Sequence, residues 1–569
     1  MLLLILCLCL PWLMPAQEYP WADAVFKKMS QREKIGQLFV VHTFSDFKQS
    51  DPGLQKYCDE VAQTANHEYI IDLIKKYKVG GVLFLCDSTI EKHIEASNKF
   101  QKESDLPLIT WLDAENGLTM RLDDALSFPW NMTLGAIQNE KLIYKAGKEI
   151  GRHCKAIGVL NFAPVADVNN NPENPVIAFR SFGENVDAVT RKMLLFARGM
   201  QKTLGFACAK HGPIGHGDVN VDSHATQPIV PHDKKRLQEI EIKPFKAASD
   251  HGVDAIMTAH LHVPAYDNRP NRAASLSRAI VTELLKKEIG FKGLAITDSL
   301  EMKGVCDHHE PGHLEKEAFL AGNDILLCPL DVPKAIDLID QAIKKDPELQ
   351  KQLDASVLKI LQLKERMNLH KERIFDVDAA KKVIFSSRAL ALKKTLFAQA
   401  ITLLKSQDSI LPLKQNPNNS IATLIINAHD STFEKLIDER FQHDFCMYLD
   451  TEKLHANDYA NVPDLFAKHQ TVIVGIFGIT RTKAENFGIK PEVIELIKNL
   501  KDQGKKVIVT LFGYAYSAGL FGKEDAIIMA YENDSDAQEA ATDVIAGLQK
   551  PTGKLPISAC EQFPCGSGL

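Results

Sequence analysis

The sequence predicts an α/β protein: a (β/α)8 TIM-like barrel followed by a smaller open α/β sandwich domain. Three observations carry that expectation. Eight short apolar runs alternate with longer helical patterns over residues 35–329. Titratable residues stand repeatedly at the C-terminal ends of those runs. The alternation resumes on a smaller scale beyond residue 396. The length of 569 residues is also too great for one typical domain.

The runs are IGQLFVV (35–41), GGVLFL (80–85), PLITWLD (107–113), VLNFAPV (159–165), FACAKH (206–211), AIMTAH (255–260), GLAITD (293–298) and DILLCP (324–329). Between them lie segments such as IEKHIEASNKFQKE, EKLIYKAGKEIGRHC and AIVTELLKKEI. Continuous apolar strands joined by helical crossovers are the pattern of a parallel sheet buried on both faces. Eight such units fit a closed barrel; an open doubly wound sheet is the alternative. The barrel is expected over residues 17–365. Residues 366–395 read as a helical linker, and the helical pattern runs on through ALALKKTLFAQAITLLK (389–405). Residues 396–569 then give IATLIINA, TVIVGIFG, KKVIVTLFG and AIIMAYE as strands of a second α/β domain. No GxGxxG or P-loop pattern marks a nucleotide site there.

Composition excludes several partners. The formal net charge is −6 and the isoelectric point about 6.4, which argues against nucleic acid or an anionic membrane surface. Residues 1–16, MLLLILCLCLPWLMPA, read as a signal peptide and imply a secreted or periplasmic protein, although no Lys or Arg precedes the apolar run. No later apolar stretch is long enough to form an integral membrane segment in the mature chain. Nine of the eleven cysteines lie beyond the leader, none in a CxxC pair, and they read as buried thiols. Oligomeric state is not legible.

The run ends concentrate the chemistry. Asp113 closes the third run, Lys210 and His211 the fifth, His260 the sixth and Asp298 the seventh. In a barrel, that edge is the active-site face. After the fifth run comes KHGPIGHGDVNVDSH (210–224), with three histidines, two aspartates and three glycines. Three readings compete. As metal ligands, His211, His216, His224, Asp218 and Asp222 could act with the HLH pair His260 and His262, but the spacing matches no helical zinc motif. As acid/base groups, Asp222 can accept the Nδ1–H of His224, fixing its tautomer and raising its pKa. Asp298 would then serve as a carboxylate nucleophile, the arrangement for retaining glycoside cleavage. Gly212, Gly215 and Gly217 would let the loop carry His224 into and out of the pocket. The third reading is a solvated polar loop.

These segments resemble a known family. KHGPIGHGDVNVDSH resembles the KHFPGHG-x-D-x-DSH signature of bacterial β-N-acetylglucosaminidases (β-hexosaminidases) of glycoside hydrolase family 3. AITDSLEMKGV (295–305) resembles the family's nucleophile strand. NFAPVADVNNNPENPVIAFRSFGEN (161–185) and DAENGLTMRL (113–122) resemble its sugar-binding segments. AGNDILLCPLDVP matches its eighth strand and TGKLPISACEQFPCGSGL the end of its second domain, so the likeness runs from about residue 23 to the last residue. The resemblance implies Asp298 as the nucleophile and His224, paired with Asp222, as the acid/base. It implies Asp113, Arg121, Arg180, Lys210 and His211 as substrate-binding residues, with no metal and no cofactor. The substrate it implies carries a terminal β-linked N-acetylglucosamine (GlcNAc), in peptidoglycan fragments or chitin oligosaccharides. A β-N-acetylglucosaminide phosphorylase and a non-catalytic muropeptide-binding protein are the alternatives. The chain departs from the signature at GPIGHG, which is one residue longer than Phe-Pro-Gly-His-Gly and lacks the aromatic.

Overall fold

Residue placement comes from a computed structural model of the chain, which describes residues 18–223, 226–414 and 420–569. The signal peptide expected at 1–16 lies outside the described residues. Eight strands build the first unit: β1 (Phe39–Phe44), β2 (Gly81–Leu85), β3 (Ile109–Leu112), β4 (Val159–Asn161), β5 (Cys208–Gly212), β6 (Ala255–Thr258), β7 (Leu294–Thr297) and β8 (Leu326–Leu327). They pair in parallel as β4-β3-β2-β1-β8 and β5-β6-β7. Parallel bridges Val165–Lys210 and Ile296–Ile325 join the two sheets at both seams, so the strands close into a barrel. Cys208 N–H donates to the Ala163 carbonyl at 2.9 Å at one seam, and Leu300 N–H to Leu327 at 3.0 Å at the other.

β1, β3, β6 and β7 are buried along their whole length. That follows from their Val, Ile, Leu and Phe content, because the barrel interior covers one face and the helical ring the other. Inside, the Trp111 indole stacks on Phe162 at 4.7 Å and meets Phe206 edge-on at 5.4 Å. Each expected run contains a strand, but the first is displaced. Residues Gln31–Gly36 are helical because Ser30 and Glu33 form a capping box, and the strand instead extends to Phe44.

Beyond the barrel, the helix Pro347–Arg366 is followed by Val377–Ile384 and Ser387–Ala400. The second unit is a six-stranded sheet: β9 (Thr402–Ser406), β10 (Ile421–Ile426), β11 (Phe445–Leu449), β12 (Thr471–Ile479), β13 (Lys506–Gly513) and β14 (Ala526–Met529). Its order is β11-β10-β12-β13-β14-β9, parallel except for β9 against β14. Side chains alternate between the faces: Val472, Val474 and Val509 point to the helix Pro491–Asp502, while Ile473, Phe477 and Ile508 meet the helices Thr432–Phe441 and Ser535–Ala546.

Two strands here differ from expectation. Thr402–Ser406 belongs to no helix; pairing with β14 decides its state, where a five-residue segment with two leucines is locally ambiguous. Phe445–Leu449 is a half-buried edge strand with too weak a pattern to read alone.

The two units meet through specific polar contacts. The Glu532 carboxylate accepts the Trp130 N–H at 2.8 Å and the Thr133 hydroxyl. Glu184 accepts the Ser558 N–H at 2.7 Å and its hydroxyl at 2.6 Å. These contacts turn the C-terminal ends of β12, β13 and β14 toward the barrel. Among the described residues, no helix is long and apolar enough to cross a membrane.

Candidate active site

A cavity of about 650 Å³ opens at the C-terminal ends of the barrel strands. Asp113, Arg121, Arg180, Lys210 and His211 line it, as do Asp222 and Asp298. Barrel closure thus gathers seven of the eight residues expected from sequence. The eighth, His224, lies outside the described residues, directly after the rim-lining pair Asp222 and Ser223.

One wall of the cavity is an ion-pair network. Lys210, 2% exposed, donates to Asp113 Oδ1 at 2.8 Å and lies 2.7 Å from Glu115 Oε1. Arg180 donates to Glu115 through Nη2 at 2.7 Å and Nε at 3.0 Å. Arg121 reaches Asp113 Oδ2 at 3.3 Å. Burial alone would raise the carboxyl pKa values, but the neighbouring cations outweigh it and hold Asp113 and Glu115 below the usual carboxylate range. The same pairing raises Lys210 and Arg180 against the effect of their own burial. An ammonium has three N–H donors and a guanidinium five, so this wall keeps donors for ligand hydroxyls after its internal bonds are made.

Beside it, the His211 Nδ1–H donates to Asp167 at 2.8 Å, and Nε2 faces Arg180 at 3.4 Å. The other Asp167 oxygen accepts the His216 N–H at 2.7 Å. Burial would raise Asp167, but the two imidazoles and these N–H groups keep it low. His216 is buried 5.0 Å from the His211 ring, and burial with that neighbour pushes its pKa down to about 3. It is therefore uncharged at neutral pH.

Asp298 follows β7. Its N–H donates to the Thr258 carbonyl at 3.0 Å, and its Oδ1 accepts the Ser299 N–H at 2.8 Å. Beneath it, buried His260 uses Nδ1 with the Ser275 hydroxyl at 2.7 Å and Nε2 with the Ser299 carbonyl at 2.9 Å. His260 thus ties the Asp298 turn to the Ala274–Leu276 segment, with one ring nitrogen on each. Glu301, from the same turn, accepts the Tyr57 hydroxyl at 2.6 Å and lies 3.4 Å from His42 Nε2.

The stretch from the end of β5 onward, residues 210–223, is divided by these contacts. Lys210, His211 and His216 serve the pocket, whereas Asp218 turns outward to pair with His232 and Arg236. Its glycines permit close approach of neighbouring segments. A Cβ at Gly217 would stand 1.4 Å from the Val168 carbonyl oxygen, and neither Gly217 nor Gly212 has a positive φ. A Cβ at Gly212 would stand 2.6 Å from Phe245 and 2.7 Å from Ile256, which leaves no space for an aromatic at that position.

Sequence reading missed Glu115, Asp167, Tyr57, Glu301 and Arg481, all of which line or support the pocket. Glu115 carried a usable signal, standing two residues after Asp113 in DAENG. Arg481 carried none, because it comes from the second unit.

Comparison with known proteins agrees with this geometry. The family described as "Glycosyl hydrolase family 3 N terminal domain" matches residues 30–363, and its "C-terminal domain" matches residues 401–562. The chain is 28% identical over 558 residues to "Beta-hexosaminidase A" of Pseudoalteromonas piscicida, covering 87% of this chain and 92% of that protein. It is 34% identical over 246 residues to a "Beta-hexosaminidase" of Neisseria meningitidis, covering 41% of this chain and 65% of that one. A solved glycoside hydrolase family 3 β-N-acetylglucosaminidase from Paenibacillus sp. superposes with a TM-score of 0.74 at 26% identity, over 93% of this chain and 98% of that one. A closed parallel barrel with a carboxylate-rich rim, a second α/β domain facing that rim and both domain signatures together place the chain in glycosyl hydrolase family 3, as a glycoside hydrolase.

Proposed function

We propose that the chain is an exo-acting, retaining β-N-acetylglucosaminidase that removes a terminal β-linked GlcNAc from peptidoglycan fragments or chitin oligosaccharides. The observation that carries the reading is the placement of Asp298. It stands at the end of β7, its carboxylate oriented by a backbone N–H, in a pocket that is also lined by the cationic donors Lys210 and Arg180. The names of the relatives support the sugar, and the retaining chemistry needs no more than a nucleophile and a proton carrier.

In the proposed mechanism, the carboxylate of Asp298 attacks the anomeric carbon and forms a glycosyl ester, while the bond to the leaving oxygen breaks. His224, oriented by Asp222, gives that oxygen its proton. His224 then takes a proton from water, which attacks the ester, releases the sugar and frees Asp298. Asp113, Lys210 and Arg180 grip hydroxyls, and His211 is held by Asp167 in a fixed orientation at the pocket floor. Export through residues 1–16 and a part in peptidoglycan turnover belong to the same proposal. N-terminal sequencing of the protein recovered from its native compartment tests the first.

The deciding experiment follows cleavage of an aryl N-acetyl-β-glucosaminide by proton NMR, with and without added phosphate. First release of the β-anomer supports retention; first release of the α-anomer, or no release, overturns it.

A further inference from the structure

Three cations that line the barrel pocket are held by carboxylates: Arg121 by Asp113, Arg180 by Glu115 and Lys210 by both. Two others on the lining have no carboxylate partner among the described residues, Lys303 of the barrel and Arg481. Arg481 follows β12 in the second domain and is exposed. It borders the barrel pocket and, at the same time, a second cavity of about 400 Å³. Trp130 and Phe179 border both cavities too, so the two are adjoining chambers that share a wall.

The second chamber is built from strand ends. Thr480 and Arg481 follow β12, Tyr514 follows β13, and Glu532 and Asp534 follow β14. In open parallel sheets, ligands bind outside the carboxyl ends of the strands, and this chamber lies outside those of β12, β13 and β14. Opposite stands the Trp130 indole, packed edge-on against Phe179 at 4.7 Å, an apolar wall suited to the face of a sugar ring. The volume falls within the range of about 300–1,000 Å³ usual for small-ligand sites.

The chamber's carboxylates are already engaged. Asp534 pairs with Lys393 at 2.8 Å, and Glu532 accepts the Trp130 N–H and the Thr133 hydroxyl. Among the described residues, Arg481 is the cation on the chamber's lining, and it has no carboxylate partner. A guanidinium favours flat oxyanions, which it can engage with two parallel N–H donors.

We propose that this chamber receives the part of the ligand beyond the GlcNAc and that Arg481 recognises an oxyanion there. The inference rests on the barrel pocket being the sugar site proposed above. The oxyanion is either a carboxylate on the leaving sugar or inorganic phosphate entering from the same side.

The test uses the full chain carrying Asp298→Asn, so that ligands bind without turnover. Calorimetry compares N-acetylglucosaminyl-β-1,4-N-acetylmuramic acid with its lactyl methyl ester, and titrates inorganic phosphate separately, each with and without Arg481→Gln. The expected result is acid bound at least ~10-fold more tightly than ester, with the ratio falling to about one in the glutamine variant. If acid and ester bind alike but phosphate binds and weakens about 10-fold in Arg481→Gln, the oxyanion is phosphate. Arg481→Lys, which keeps the charge, should recover part of either effect, separating recognition from damage to the fold. Equal ratios in both backgrounds with phosphate binding unchanged would overturn the inference. Hydrolysis of a neutral nitrophenyl glycoside by the parent enzyme is read separately: its absence defeats the proposed reaction, while the binding ratios still decide the role of Arg481.

Discussion

Glu115 Oε1 stands 2.7 Å from both Arg180 Nη2 and Lys210 Nζ, on a side chain with 0% exposure. One buried carboxylate thus balances two pocket cations and fixes their donors. Glu115→Gln keeps the shape and removes the charge. Breaking a buried pair in this way costs about 3–5 kcal/mol. Urea unfolding should show that loss, and any folded variant should have a higher KM because Arg180 and Lys210 lose their anchor. An unchanged urea midpoint would mean that the pair is not the buried anchor described.

Asp298→Asn removes the nucleophile without changing its volume. Turnover should fall at least ~10³-fold, equivalent to about 4 kcal/mol of transition-state stabilisation. Thermal unfolding should stay close to the parent, since the Oδ1 contact with the Ser299 N–H can be kept by an amide oxygen. Parent-like rates on an aryl glycoside would remove Asp298 from the mechanism.

His224→Ala should separate substrates by leaving group. A sugar alkoxide needs a proton to leave, and a nitrophenolate does not. The loss on a disaccharide should therefore approach the ~10²–10⁴-fold contribution of a positioned proton donor, with a smaller loss on the aryl glycoside. Equal losses on both would place the donor elsewhere.

Glu532 gives a pH-dependent contact between the domains. Burial pushes its pKa from 4.5 up to about 7, with Asp534 adding to the rise and the Thr133 hydroxyl, the Trp130 N–H and Lys393 opposing it. A carboxyl raised on folding contributes stability that is complete below pH 4.5 and is lost as pH rises through about 7. The parent should lose on the order of a few kcal/mol between pH 5 and 8 from this group. Glu532→Gln should match it near pH 5, be the more stable near pH 8, and show a flatter denaturation profile. Parallel profiles for the two proteins would refute the assignment.

The barrel was legible because its signals are local. Burial on both faces makes each strand a continuous apolar run, and closure requires the helical segments between them. The first polar residue after a run falls on the rim, which is why Asp113, Lys210, His211 and Asp298 could be named from order alone. β9 and β11 were not legible, since a five-residue segment takes its state from the strand it pairs with.

The sequence by itself determined the fold class, the family and the residue types gathered at the rim. Only the tertiary structure decided which charges meet. Glu115 and Arg180 are 65 residues apart, Asp113 and Lys210 are 97 apart, and no local pattern links them. Arg481 reaches the pocket from another domain altogether. Periodicity reports which side of a strand or helix is buried, a short-range property. The partner of a buried charge is set by where the closed barrel and the docked second domain bring distant strand ends together.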